Sequence, residues 1–237
     1  MEPSLPRRAL AELVGTAFLV AIVVGSGIMA ARLSPNDVGL QLFENAFATA
    51  AGLVAVILAV GPVSGAHLNP VVSAADCWFG GITRRTLAVY AAAQVTGACL
   101  GCVIANLMFE LPVVELSTKV RSGSGVWLGE GIATVGLLLV IFGVVRSRRA
   151  GVAPFAVGAY IGAAYFFTSS TSFANPAVTI GRMLSNTFAG IAPDSVPGFV
   201  LAECIGAALA VALVAALYPH IADVAEELIV PREEGPA

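Results

Sequence analysis

Six apolar stretches, each near the roughly 20 residues a helix needs to cross a hydrocarbon layer, set the terms for this chain. They are Leu10–Ala31, Gln41–Val60, Leu87–Phe109, Val126–Val145, the shorter Ala153–Phe167, and Gly198–Leu217. Two of the connectors, Gly61–Gly80 and Thr168–Pro197, hold apolar patches too short to cross, and both contain Asn-Pro. Of the 237 residues, 58% are hydrophobic and 11% charged, where a soluble domain has about a quarter charged. The chain lacks the polar surface to cover a water-facing globule, so lipid is part of its solvent. The predicted fold class is an all-α membrane protein with six transmembrane helices and two re-entrant half-helices. Residues 1–237 form one domain, with a first repeat over about 8–109, a second over about 126–219 and an acidic cytosolic tail over 220–237.

Positive charge sets the orientation. Arg7 and Arg8 precede the first span, Arg84 and Arg85 the third, and Arg146, Arg148 and Arg149 follow the fourth. With six crossings all of these share one side, which places both termini in the cytoplasm and the chain in a bacterial inner membrane. Arg32, Lys119, Arg121 and Arg182 fall on the other side, and Arg182 is expected as an outer-surface charge.

The two halves repeat each other in order. Glu12-Leu-Val-Gly-Thr16 matches Glu130-Gly-Ile-Ala-Thr134, Asn69-Pro70-Val71-Val72 matches Asn175-Pro176-Ala177-Val178, and Ala93-Gln-Val-Thr-Gly-Ala98 matches Ala202-Glu-Cys-Ile-Gly-Ala207. Three spans per half is an odd number, so the second half sits inverted, as in many membrane transport proteins. Asn is a favoured helix cap and Pro a favoured first helical residue. Asn69-Pro70 and Asn175-Pro176 therefore start two short helices whose N-termini meet near the bilayer midplane. Each N-terminus carries about half a positive charge and unpaired amides. A polar path past both would repel cations and protons yet admit neutral molecules with lone pairs. The asparagine amides are expected to donate into that path, and the extended backbone before them to offer carbonyl acceptors.

Paired Asn-Pro boxes in an inverted repeat, with Ala-Glu-Leu-Val-Gly-Thr in the first span, Ser64-Gly-Ala-His-Leu-Asn-Pro70 before the first half-helix and Tyr90-Ala-Ala-Ala-Gln94-Val-Thr-Gly-Ala98 in the third span, resemble the aquaporin and aquaglyceroporin (major intrinsic protein) family. The resemblance runs from about Arg8 to Pro219. It implies an aquaporin-like fold, one pore per subunit, a homotetramer, and passive passage of small neutral solutes without a cofactor. The first box carries Val71 where the family usually has Ala, and Val178 stands where it normally has Arg. Aligned back from the boxes, the other members of the outer constriction are Thr49, Ala163 and Ser172. The family usually has an aromatic at the first, and its water-specific members have His at the second. Thr49, Ala163, Ser172 and Val178 together describe a wide filter without fixed charge, suited to glycerol-like polyols, urea or neutral metalloid hydroxides such as arsenous acid.

Glu12 and Glu130 are carboxylates inside spans, where function is the default expectation. By resemblance they are structural, accepting hydrogen bonds from the backbone that leads into each half-helix, with Gln94 and Glu203 packed at matching places. The competing role is a proton relay in a proton-coupled secondary transporter. A membrane enzyme would need a nucleophile, base or metal set in one place, and none is legible. His67 reads as a structural hydrogen-bonding group or a pH-sensing gate. Cys99 and Cys102 lie in an apolar helix without a second pair, so no metal site is expected. No basic stripe points to nucleic acid. Gly97, Gly101, Gly206, Ala207 and Ala210 suit close helix contact.

Overall fold

The chain folds as a helical bundle with an internal inverted pairing. The computed structural model describes residues 3–147 and 149–218, so Arg148 and the acidic tail from Pro219 onward, including His220, lie outside it. Among the described residues, the α-helices are α1 (Leu5–Leu33), α2 (Val38–Ser64), α3 (Pro70–Phe79), α4 (Arg84–Met108), α5 (Ser124–Arg146), α6 (Ala153–Phe167), α7 (Pro176–Arg182) and α8 (Val196–Leu217). Five are long and apolar enough to cross a membrane, and α6, with 15 residues, is the shorter sixth. At 1.5 Å per residue α6 reaches only about 22 Å; a 3₁₀ turn at Ala150–Val152 leads into it. The helices α3 and α7 are the two half-helices expected from the Asn-Pro boxes.

Local chemistry fixes the ends. Asp37 caps α2 by accepting from the Leu40 amide, Thr83 caps α4 through the Thr86 amide, and Asn69 and Asn175 cap the half-helices with proline following each. α2 ends on Gly65, whose φ of 86° suits glycine. Large apolar side chains such as Phe18, Phe47 and Leu201 point outward, while Glu12, Gln94, Glu130 and Glu203 are buried. That inside-out polarity belongs to a protein whose outer solvent is lipid.

The packing repeats across the halves. α1 lies against α2 and α4, and α5 lies against α6 and α8; α3 packs on α4 and α7 on α8. Glycine decides how closely the long helices cross. A Cβ on Gly97 would sit 2.2 Å from the Leu13 carbonyl oxygen of α1, and one on Gly206 would sit 2.5 Å from the Gly131 carbonyl oxygen of α5. These are matching positions of the two repeats, so the same backbone-to-backbone contact is built twice. Gly101 repeats it one turn on, 2.1 Å from the Ala17 carbonyl oxygen.

The connector between α4 and α5 runs across the C-terminal end of α7. The Glu115 and Ser117 amides donate to the carbonyls of Leu184 and Met183, and the Ala192 amide donates to the Lys119 carbonyl.

Gly97→Val forces α1 and α4 apart, since backbone atoms cannot yield as a flexible side chain can. Overpacking of this kind costs about 1–3 kcal/mol. The expected result is a lower unfolding temperature in detergent for Gly97→Val and for Gly206→Val. Gly125→Val, where an added Cβ meets nothing within 4 Å, is the control expected to match the parent.

Candidate pore and outer constriction

The backbone before each box is irregular in the same way. Gly65, Ala66 and Leu68 have φ of 86°, 49° and 51°, and the matching Thr171, Ser172 and Ala174 have 66°, 52° and 49°. Left-handed conformations are unfavourable for side chains with a Cβ, so something must hold them. Two carboxylates do. Glu12 Oε1 accepts from the His67 amide at 2.9 Å and from Ser64 Oγ at 2.6 Å, and its Oε2 accepts from the Leu68 amide at 2.7 Å. Glu130 Oε1 accepts from the Phe173 amide and its Oε2 from the Ala174 amide, both at 2.8 Å. Neither carboxylate lines the cavity described below.

Gln94 and Glu203 also occupy equivalent places. Gln94 Nε2 donates to Glu12 Oε2 at 2.8 Å and to Ser73 Oγ at 3.0 Å. Glu203 Oε1 accepts from Thr179 Oγ1 at 2.7 Å and from the Asn175 amide at 3.1 Å. Ser73 and Thr179 are each four residues past their box asparagine.

The two asparagines face each other. Each side-chain oxygen caps its own half-helix, taking the Val71 amide in one case and the Ala177 and Val178 amides in the other. Asn69 Nδ2 donates to the Ala174 carbonyl at 2.7 Å, and Asn175 Nδ2 donates to the Leu68 carbonyl at 2.8 Å. Each amide thus spends one N–H on the opposite half, a tie the sequence does not reveal, and keeps a second. Both asparagines line a single cavity enclosed by α1, α2, α5 and α6 and by the two half-helices.

That cavity runs past His67 and Asn69 on one side of the boxes to Ser172, Val178 and Arg182 on the other. Of the box residues only the asparagines line it. Val71 points instead to an outer groove with Ala207 and Ala208 of α8, and Val72 takes the cavity-facing position. Pro70, Pro176 and Ala177 build the helix starts behind it. His67 Nδ1 is 2.9 Å from Ser73 Oγ and its Nε2 is 3.4 Å from Asp76 Oδ2, so the ring is tied to its own half-helix.

Thr49, Ser172 and Val178 line the cavity as expected from the boxes, but Ala163 does not. Ala163 is exposed on the outside of α6, and Ile161 and Tyr165 face inward. Residues four apart share a helix face while one midway between them points away, so the ungapped alignment placed the wrong face. Tyr165 Oη donates to Thr49 Oγ1 at 3.2 Å. An aromatic ring is therefore present beside Thr49, contributed by another helix.

Arg182 corrects a second expectation. It is not an outer-surface charge: only 2% of it is exposed, and it lines the same cavity as Val178. Its Nε donates to the Ala189 carbonyl at 2.5 Å, and its Cζ lies 3.4 Å from the centroid of the Phe173 ring. The sequence signal was available, because Val178 and Arg182 are four residues apart on one short helix. Arg121 sits close by, with its Cζ 5.1 Å from the same ring and its Nε donating to the Gly190 carbonyl. Burial pulls the Arg121 guanidinium down to about 10, which leaves it cationic at neutral pH.

Half-helices butted at paired asparagines, beside one cavity within a bundle of long apolar helices, define a membrane channel. The family model described as Major intrinsic protein matches residues 1–174, and this chain belongs to that family. It is 52% identical over 212 residues to aquaglyceroporin AqpS of Rhizobium meliloti (strain 1021), covering 90% of each chain. It is 30% identical to the probable aquaporin AqpM of Archaeoglobus fulgidus, covering 94% of this chain and 99% of that one. The fold is shared with the X-ray structure of the aquaglyceroporin from Plasmodium falciparum, at a TM-score of 0.72 and 22% identity over 92% of this chain and 99% of that one. The protein is a multi-pass membrane channel and not an enzyme.

Glu203→Gln supplies the second repeat with the amide that Gln94 gives the first, and is expected to fold and conduct like the parent. Glu130→Leu strands two buried amides, each worth about 1–3 kcal/mol. It should lower the unfolding temperature and abolish solute flux, as read by thermal scans and liposome shrinkage.

Proposed function

We propose that this channel passes small uncharged hydroxylated solutes larger than water, namely glycerol-like polyols and neutral metalloid hydroxides such as arsenous acid, together with water. The observation that carries this is the cavity wall at the outer constriction. It is lined by the small polar residues Thr49 and Ser172 and by the small Val178 at the second box, so a hydroxylated solute passes polar side chains without a bulky one following Ala177. The free N–H of Asn69 and of Asn175 gives a set of donors at mid-depth. The similarity to a protein named an aquaglyceroporin at 52% identity supports polyols over water alone.

Proton-coupled transport is not favoured. Glu12 and Glu130, the symmetric carboxylates a relay would need, each hold two backbone amides and lie off the cavity. Homotetrameric assembly, cytoplasmic termini and an inner-membrane location complete the proposal; the run of Arg7, Arg8, Arg84 and Arg85 supports the orientation.

Stopped-flow light scattering of proteoliposomes tests the proposal. Glycerol and arsenous acid should each shrink-and-recover several-fold faster than in empty liposomes, and a proton uncoupler should change neither rate. Passage of water alone would defeat it. Val178→Arg fills the small position, and is expected to cut glycerol flux about tenfold or more while sparing water.

A further inference from the structure

Among the described residues no carboxylate oxygen lies within 4 Å of the Arg182 guanidinium. A buried cation without a counter-ion is costly to keep out of water, and a charge held inside a membrane protein is by default functional. What holds this one is partial: the Ala189 carbonyl takes Nε, and the Phe173 face takes the guanidinium plane. Neither engages the terminal nitrogens in a hydrogen bond. Those nitrogens are also not among the buried polar atoms that lack a partner, so they open onto the cavity that Arg182 lines.

Direction matters as much as burial. Helical side chains lean toward the N-terminus of their helix and cover the turn before them. On α7 that turn carries Val178, whose small side chain leaves the space free. The guanidinium of residue 182 thus reaches back toward the level of Val178, Ser172 and Tyr165, all of which line the cavity with it. Phe173 is fixed in turn by its amide on Glu130 and by its ring on Phe199, with centroids 4.9 Å apart.

We propose that Arg182 is the specificity-determining residue of the outer constriction: its terminal N–H groups hydrogen-bond the oxygen edge of a passing neutral solute, its charge keeps cations out, and Phe173 and Tyr165 wall the apolar edge. The solute class this selects is a small neutral molecule with clustered hydroxyl or oxo oxygens on one side. This rests on the proposed passage of such solutes and replaces the charge-free filter that the residues after the second box suggest. In a low-dielectric setting the repulsion between two positive charges is much stronger than in water, so a fixed guanidinium discriminates against a cation and not against a polyol.

The test uses the full chain in proteoliposomes, with glycerol flux by light scattering and potassium and proton leak by a potassium-sensitive and an entrapped pH-sensitive dye. Parent protein showing glycerol flux supports the channel reading independently of Arg182. Arg182→Gln keeps a donor for the Ala189 carbonyl and most of the volume but removes the charge. It should raise cation or proton leak at least tenfold over the parent, while Arg182→Lys stays tight. Arg182→Leu should do the same and also lower the preference for glycerol over propanol-sized monohydric alcohols. If Arg182→Leu fails to fold, Arg182→Gln alone decides. A folded Arg182→Gln channel as cation-tight as the parent, with unchanged solute preference, overturns the proposal even where parent glycerol flux stands.

Discussion

A peptide chain that leaves the helical state halfway through a bilayer exposes amides and carbonyls where no bulk water can meet them. Here that demand is answered by two carboxylates, Glu12 on α1 and Glu130 on α5, each of which takes two consecutive backbone amides of an entering loop. With the amides turned toward the carboxylates, the backbone adopts left-handed conformations at Ala66, Leu68, Ser172 and Ala174. The carbonyls of Leu68 and Ala174 are then free to receive the opposite asparagine. One kind of hydrogen bond thus fixes the loops, the loops fix the half-helices, and the half-helices close on each other.

That arrangement needs each carboxylate at a particular depth and distance from its loop. The close crossings of α1 with α4 and of α5 with α8 supply this, because Gly97 and Gly206 let backbone touch backbone. They bring Gln94 onto Glu12 and Glu203 beside the second half-helix. Small residues in the spans and polar residues one turn away are parts of a single device: approach first, then hydrogen bond. The cavity is bordered by α1, α2, α5 and α6, while α4 and α8 stand behind and brace the half-helices.

The spans, the half-helices and the inverted pairing were legible because each rests on a local signal. Apolar length marks the spans, and Asn-Pro marks a helix start whatever surrounds it. That Ser172 and Val178 line the cavity was legible for the same reason, since each is close to a box; Thr49 lines it too, but was placed only by counting back from the boxes. Ala163 was misplaced because α6 is short and apolar on nearly every face, so its sequence does not say which side turns inward; Ile161 and Tyr165 do. Which residue of the first box turns to the cavity was not legible, because a box names the start of a helix and not the face that meets the cavity; Val72 lines it and Val71 does not. The connector that crosses the C-terminal end of α7, with Ser117 and Lys119 bonded to its surroundings, has no periodic pattern at all, and nothing local could have announced it.

Arg182 shows why a filter defined by adjacency to a motif misses what geometry allows. A residue four positions further along a helix returns to the same face, and an arginine is long enough to recover one turn of rise. A small side chain at residue 178 is the condition for this, since a large one would occupy the volume the guanidinium needs. The two positions are therefore coupled: the absence of bulk at the first gives the second access to the cavity. Substituting both residues separately and together should show it, because changes at neighbouring sites that share one space do not add. An arginine introduced at Val178 places a second guanidinium in a space already holding Arg182. Its effect on solute flux should be larger in the parent than in an Arg182→Leu background, where the charge and the volume have been vacated.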